Sequence, residues 1–277
     1  MGVSPESLLA RCAPGEWVPV TSGESGARVF RSVDGSRYAK CAQADPLARE
    51  RDRIQWLSDA GVPGPSVLEW IAGDDGACVV TSAVRGVSAE ALPAETLWRA
   101  WPAITEAVRQ LHSLPVEDCP FSRDLTEMFA IAEDVVARGA VDPEFLPVDQ
   151  QRTSPAELLG RLAPQVGQRV AEEAADSVVC HGDLCLPNIV LDPDTVTVAG
   201  FIDLGRLGRA DRYADIALLL ANAREIWGDE SQAVAADAVF ADGYGVTLDT
   251  ERQRFYLHLD PLTWDSVQDS GGLDLNE

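Results

Sequence analysis

The sequence predicts an α+β protein in which a small antiparallel sheet with one helix precedes a larger, mainly helical part. Three observations carry this. Apolar residues alternate with polar ones up to about residue 84, their spacing becomes helical beyond it, and three short apolar runs interrupt the helical part between residues 177 and 205. A chain of 277 residues can bury a substantial core without help from disulfides.

The elements follow in order. "SGARVFRSVDGSRYAKCA" alternates, turns at Asp34-Gly35 and resumes, which predicts a hairpin. In "ADPLARERDRIQWLSDAGVPGP", Asp45 is the expected cap, Pro46 suits the first helical position, Ile54 and Leu57 begin an apolar face, and Gly61 with Pro63 ends the helix. "SVLEWI" and "ACVVTSAV", joined by "GDDG", predict two further strands. Beyond "RGV", Leu97, Trp101, Ile104, Val108 and Leu111 recur at helical spacing, and "YADIALLLANAREIW" reads as a buried helix. The segment from 116 to about 176 predicts helices joined by irregular loops. "SVVCHGD", "NIVLD" and "VAGFIDLG" are the three apolar runs. The polar end, residues 266–277, is expected to be a mobile tail.

Composition narrows the class of function. The six cysteines form no CxxC pair and several lie in apolar runs, so they read as reduced thiols of a cytoplasmic protein. No stretch reaches the ~20 apolar residues of a membrane span. Net charge is -23, of which residues 81–277 hold -20. Nucleic acid and anionic membrane are therefore poor partners, and the later part is suited to a small cationic molecule. No obligate protein partner is evident.

The chemistry concentrates in "CHGDLCLPNIVLDPDTVTVAGFIDLGR", which has the form H-G-D-x4-N, a short hairpin, then I-D-L-G. An aspartate and an asparagine five residues apart on a loop, Asp183 and Asn188, can share one task. The aspartate accepts a hydroxyl hydrogen bond and the asparagine offers an oxygen to a metal. A second aspartate, Asp203, can complete the metal site beside Gly205, a glycine expected to permit an unusual backbone turn. That is a phosphoryl-transfer arrangement. A further clue is Lys40, the only lysine in a chain whose other basic residues are all arginine.

These motifs resemble the aminoglycoside phosphotransferases, relatives of protein kinases whose signatures are H-R-D-x4-N and D-F-G. The resemblance runs from about Trp17 to Trp264. It is similar in detail to the streptomycin 3''-phosphotransferase group on "ESG", "ERDR", "GAC", "HSL", "DCPF", "FLP", "VVCHGD", "IDLGRLGRADRYAD" and "FYLHLDPLTW". It implies a bilobal protein-kinase-like fold, with a nucleotide-binding N-lobe over 1–84 and a catalytic and substrate-binding C-lobe over 85–265. It implies ATP and Mg2+, Asp183 as the catalytic carboxylate, Asn188 and Asp203 as metal ligands, and His181 as a brace.

On the same resemblance, Lys40 contacts the α and β phosphates and is held by Glu50. A compact ammonium suits that position better than a planar guanidinium. Ser25 and Gly26 in "TSGESGARVF" are the expected phosphate-covering backbone, and Ala83 and Val84 in "TSAVRGV" would read the adenine edge. Asp211, Asp215 and Asp260 are the candidate carboxylates for streptomycin, with a helix-bracing role weighed for Asp215. The rival readings are a kinase of another aminoglycoside or of a small cationic metabolite, and a nucleotide-binding regulator without turnover.

Overall fold

The computed structural model describes residues 5–20, 27–73 and 76–265. Ser25, Gly26 and the expected tail lie outside the described residues. The described chain falls into two compact units, residues up to 85 with 200–205, and residues 86–199 with 206–265.

In the first unit α1 (Pro5–Cys12) leads into β1 (Trp17–Val20), β2 (Arg28–Ser32) and β3 (Arg37–Ala42). Then come α2 (Ala44–Asp59), β4 (Val67–Gly73) and β5 (Gly76–Ser82). The sheet is antiparallel in the order β1-β2-β3-β5-β4. Its hairpin turns at Asp34-Gly35 as expected: Gly35 takes φ 71°. The Asp34 carboxylate accepts from the Ser32 hydroxyl and from the amide and hydroxyl of Ser36, which draws its pKa down to about 2.

Two details differ from expectation. The cap of α2 is Gln43, whose side chain makes no capping bond. Asp45 sits inside the first turn, where its charge meets the positive end of the helix dipole. The helix α1 is additional, and its eight residues are too few for periodicity to announce.

Side-chain alternation along β3 then places the chemistry. Ala39 and Cys41 face the cluster of Leu8, Leu9, Phe30, Cys78 and Val80 under α1. Lys40 points the other way, to the face where Leu47 of α2 packs on Ala77 and Val79.

The second unit holds β6 (Val87–Ser88), α3 (Ala94–His112), α4 (Leu125–Ala137), α5 (Pro155–Leu162), α6 (Val166–Asp176) and β7 (Ser177–Cys180). It continues with β8 (Ile189–Asp192), β9 (Thr197–Phe201, whose last two residues belong to the first unit), β10 (Gly208–Asp211), α7 (Tyr213–Arg224), α8 (Glu230–Tyr244) and α9 (Thr250–Leu259). The predicted face of α3, Leu97, Trp101, Ile104, Val108 and Leu111, is 0% exposed. It packs on α8, where the Trp101 indole donates to the Ala236 carbonyl at 2.9 Å. Two small sheets, β6-β8-β9 and the antiparallel pair β7-β10, frame the motif. β7 ends just before His181 and β8 begins just after Asn188, so both ends of the loop are tied to a ladder. The chain passes into the first unit at Gly200 and returns at Arg206.

Candidate active site

In the first unit three charged side chains meet. Lys40 Nζ lies 2.8 Å from Glu50 Oε2 and 3.7 Å from Asp203 Oδ1. Burial alone would push the ammonium down, but the two carboxylates outweigh it and hold Lys40 above the ordinary lysine range, so it stays charged. Burial raises the Glu50 carboxyl against the pull of Lys40. Asp203 remains half exposed.

The turn carrying Asp203 is docked by the Phe201 amide, which donates to the Pro63 carbonyl at 3.1 Å. Its unusual backbone is not at Gly205, as expected, but at Asp203 itself, with φ 59°. A left-handed conformation is uncommon for a side-chain-bearing residue and turns up where a side chain has to be aimed. Gly205 needs no such freedom, and a Cβ there would sit 3.6 Å from Glu50 Oε2, an ordinary contact.

In the second unit the H-G-D-x4-N stretch is a tight loop ending in a 3-10 turn, Leu186–Asn188. Asn188 Nδ2 donates to the Asp183 carbonyl at 2.9 Å and to Asp183 Oδ2 at 3.0 Å. A carboxylate only accepts, so the amide nitrogen is the end that faces it and the amide oxygen is turned away. The Leu186 amide donates to Asn222 Oδ1 at 2.8 Å, which ties the loop to α7.

Beneath the loop lies Asp215, fully buried. Its Oδ2 accepts from the His181 amide at 2.6 Å and its Oδ1 from the Gly182 amide at 2.8 Å. His112 Nε2 lies 3.0 Å from Oδ2 and its Nδ1 lies 2.8 Å from the Tyr244 hydroxyl. Because the carboxylate can only accept, Nε2 carries the proton of that contact. Burial would raise the Asp215 carboxyl, yet the hydrogen bonds it accepts from His112 and from the Gly182 amide hold it below the usual carboxylate range. His181 is also buried, and its Nδ1 accepts from the Asp183 amide at 3.3 Å. The brace expected of His181 is thus part of a wider one. His112 is a residue that motif reading missed, although it is one of only three histidines and ends the apolar face of α3.

Gly182 stands where protein kinases have arginine, for a local reason. Its φ is 83°, and a Cβ would fall 2.1 Å from the Arg206 carbonyl. No side chain fits.

The remaining candidates divide. The Ala83 amide is taken by the Ser36 carbonyl at 2.9 Å, whereas Val84 has no backbone hydrogen bond among the described residues. Two of the expected substrate carboxylates are corrected. Asp211 and Asp215 are both 0% exposed, and Asp211 is consumed by the Tyr213 amide and the Arg252 guanidinium. Asp260 is 7% exposed and engaged by Arg123, Arg206 and Trp264. A cationic ligand would have to displace those partners.

The donor set suits magnesium, which takes hard oxygen ligands and few of them from protein. In the first unit the half-exposed Asp203 carboxylate is of that kind, and in the second the amide oxygen of Asn188, which its bonds to Asp183 leave unused, is another. Among the described residues a different trio, His112, Cys180 and Asp215, brings potential ligand atoms within 4.8 Å of one another. It is wholly buried, and its atoms are spent on the hydrogen bonds just described and on Cys180 Sγ to the Asp211 carbonyl at 3.3 Å. Among the described residues no helix is long and apolar enough to cross a membrane.

Residues 16–256 match the model of APH, the phosphotransferase enzyme family. The chain is 63% identical over 253 residues to the streptomycin 3''-kinase of Streptomyces griseus, covering 90% of this chain and 93% of that one. It is 42% identical over 271 residues to an aminoglycoside 3'-phosphotransferase of Streptomyces fradiae, covering 92% and 98%. The aminoglycoside phosphotransferase APH(3'')-Id of Streptomyces rimosus ATCC10970, solved with ADP and streptomycin, superposes with a TM-score of 0.88 at 60% identity. The match covers 94% of this chain and 97% of that one. The fold is therefore the bilobal, kinase-like fold of these enzymes. The chain belongs to the phosphotransferase enzyme family.

Proposed function

We propose that the protein transfers the γ-phosphoryl group of ATP to the 3''-hydroxyl of streptomycin, inactivating the drug and conferring resistance to it. The observation that carries the reaction type is the Lys40 cluster, an ammonium held at 2.8 Å by Glu50 with the Asp203 carboxylate at 3.7 Å. The acceptor follows from kinship, 63% identity to a streptomycin 3''-kinase and a 60% identical neighbour solved with ADP and streptomycin.

In this reading Lys40 meets the phosphate oxygens and Glu50 keeps its ammonium charged and aimed. Val84 and the Ala83 carbonyl serve the adenine edge, and Ser25 and Gly26 cover the phosphates. Asp203 and Asn188 are the oxygen donors for magnesium. When bound, the metal supplies charge neutralisation on the phosphate oxygens. Asp183 accepts the hydrogen bond of the attacking hydroxyl and orients it. Because phosphoryl transfer passes through a loose transition state, positioning matters more than early proton removal. The product carries about two added negative charges on a drug that depends on its cationic groups. We place the enzyme in the cytoplasm, in keeping with its six free cysteines.

Incubation with ATP, magnesium and streptomycin, followed by mass spectrometry and NMR of the drug, tests the proposal. One phosphate on the 3''-oxygen is the expected product. An unmodified drug, or phosphate on another hydroxyl, overturns it. A panel of other aminoglycosides and choline-like cations in the same assay measures acceptor range.

A further inference from the structure

The space that an arginine would fill in a protein-kinase loop is empty of side chain at Gly182, but arginine chemistry is present beside it. A Cβ on Gly182 would lie 2.8 Å from Cδ of Arg123, so the aliphatic stem of that residue packs directly on the loop. Arg123 is 8% exposed and its backbone is fixed: its amide donates to the Arg209 carbonyl at 2.9 Å and the Arg209 amide to the Phe121 carbonyl at 2.9 Å. Residues 121–123 therefore run along β10, which pairs with β7, the strand that delivers the chain to His181.

The guanidinium of Arg123 reaches Asp260 Oδ1 at 3.3 Å. Arg206, whose carbonyl also closes the space at Gly182, reaches the same oxygen at 3.4 Å and the Thr263 hydroxyl at 3.2 Å. Arg206 also lies 3.6 Å over the Trp264 ring, and the Trp264 indole donates to Asp260 Oδ2 at 3.0 Å. Both oxygens of Asp260 are thus used. One carboxylate joins the segment before α4, the residue three places after Asp203, and the end of the described chain.

We propose that Arg123 and Asp260 form a positioning clasp for phosphoryl transfer: Arg123, anchored by Asp260, holds Gly182 and so sets the orientation of the loop that presents Asp183. A guanidinium this buried needs a fixed counter-charge, and Asp260 supplies it. The loop has no arginine of its own at Gly182, and one from another segment packs against it there. Asp260 then acts through the arginines and does not bind the cationic substrate. This rests on the reading of Asp183 as the residue that orients the acceptor.

The test measures kcat and KM for streptomycin and ATP, the slow transfer to water in the absence of drug, and thermal melting. Wild type is compared with Asp260→Asn, Arg123→Ala and Arg123→Lys. Arg123→Ala and Asp260→Asn are expected to lose about 10²-fold in kcat with streptomycin and in transfer to water alike, with streptomycin KM little changed. Arg123→Lys, which keeps the stem and the charge, should recover much of that loss. Kinetics are normalised to nucleotide-binding sites, so a fall in folded fraction does not pass for a fall in kcat. If Asp260→Asn does not fold, the two Arg123 variants decide.

A raised streptomycin KM with unchanged hydrolysis would make Asp260 a substrate ligand and overturn the clasp, as would full kcat in Arg123→Ala. Wild-type protein that hydrolyses ATP but leaves streptomycin unmodified would overturn the proposed acceptor only, since the hydrolysis comparison still decides the clasp.

Discussion

Two ionic clusters in this protein use similar groups and differ in how far water reaches them. Around Lys40 the lysine side chain is 20% exposed and that of Asp203 50% exposed, and one of the two contacts is long, at 3.7 Å. Around Asp215 the carboxylate is 0% and His112 2% exposed, and every contact is a hydrogen bond of 3.0 Å or less. A cluster that must exchange partners has to be left partly open. The Asp203 contact exceeds hydrogen-bond length, so Lys40 can release it for a phosphate oxygen at little cost. A cluster that only holds a loop works best sealed, because each bond is stronger without water and breaking one strands a buried charge.

The sharpest way to separate chemistry from support is Asp183→Ala. It removes the group the sealed cluster presents without touching the cluster. Turnover should fall by about 10²–10⁴-fold while nucleotide affinity stays close to wild type. Isothermal titration with a nucleotide and steady-state kinetics measure the two quantities. An equal loss in both would mean that the loop serves nucleotide binding instead.

Asp215→Asn should act in the opposite way, through the fold. An amide presents a donor to groups that are themselves donors, leaving a loop amide or His112 unpaired, and the expected destabilisation is about 3–5 kcal/mol by urea unfolding. The pH dependence has a definite sign. The folded Asp215 carboxyl titrates below its unfolded value near 4. Its contribution is fully present above about pH 4 and is lost as pH falls through the lower folded value. Unfolding measured from pH 6 downward should lose that part of its slope in Asp215→Asn.

In the open cluster, Lys40→Arg should leave stability within about 1 kcal/mol of wild type, since the positive charge is kept and Asp203 stays half exposed. It should reduce kcat/KM for ATP by about 10–100-fold, since a planar fork cannot meet Glu50 and a phosphate from the same position. A stability loss comparable to that of Asp215→Asn would erase the distinction between the clusters.

What could be read in advance follows the same division. That Lys40 meets Glu50 and Asp203, and that Asn188 bonds Asp183, is legible because motif spacing and strand alternation are local properties. The hairpin at Asp34-Gly35, the apolar face of α3 and the burial of α7 are legible for the same reason. The sealed parts are not. His112 and Asp215 are 103 residues apart, and Arg123 and Asp260 are 137 apart. A cationic substrate calls for carboxylates, and the sequence offers Asp211 and Asp215 without showing that both are buried; of the two readings weighed for Asp215, a structural brace is the one its contacts support. The additional helix α1 escaped because eight residues make too short a period.

The smallest predicted effect tests that reading at one residue. Glycine in I-D-L-G invites the idea that backbone freedom is needed there, yet the left-handed residue is Asp203, at φ 59°. Gly205 lies in an ordinary 3-10 turn, and an added Cβ would rest 3.6 Å from Glu50 Oε2, within normal contact range. Gly205→Ala should therefore change stability by no more than about 0.5 kcal/mol and kcat by less than about threefold. The same substitution at Gly182, where φ is 83° and the Arg206 carbonyl would be 2.1 Å away, should be far more damaging. If instead Gly205→Ala proved as harmful as Gly182→Ala, the open cluster would have no more slack than the sealed one.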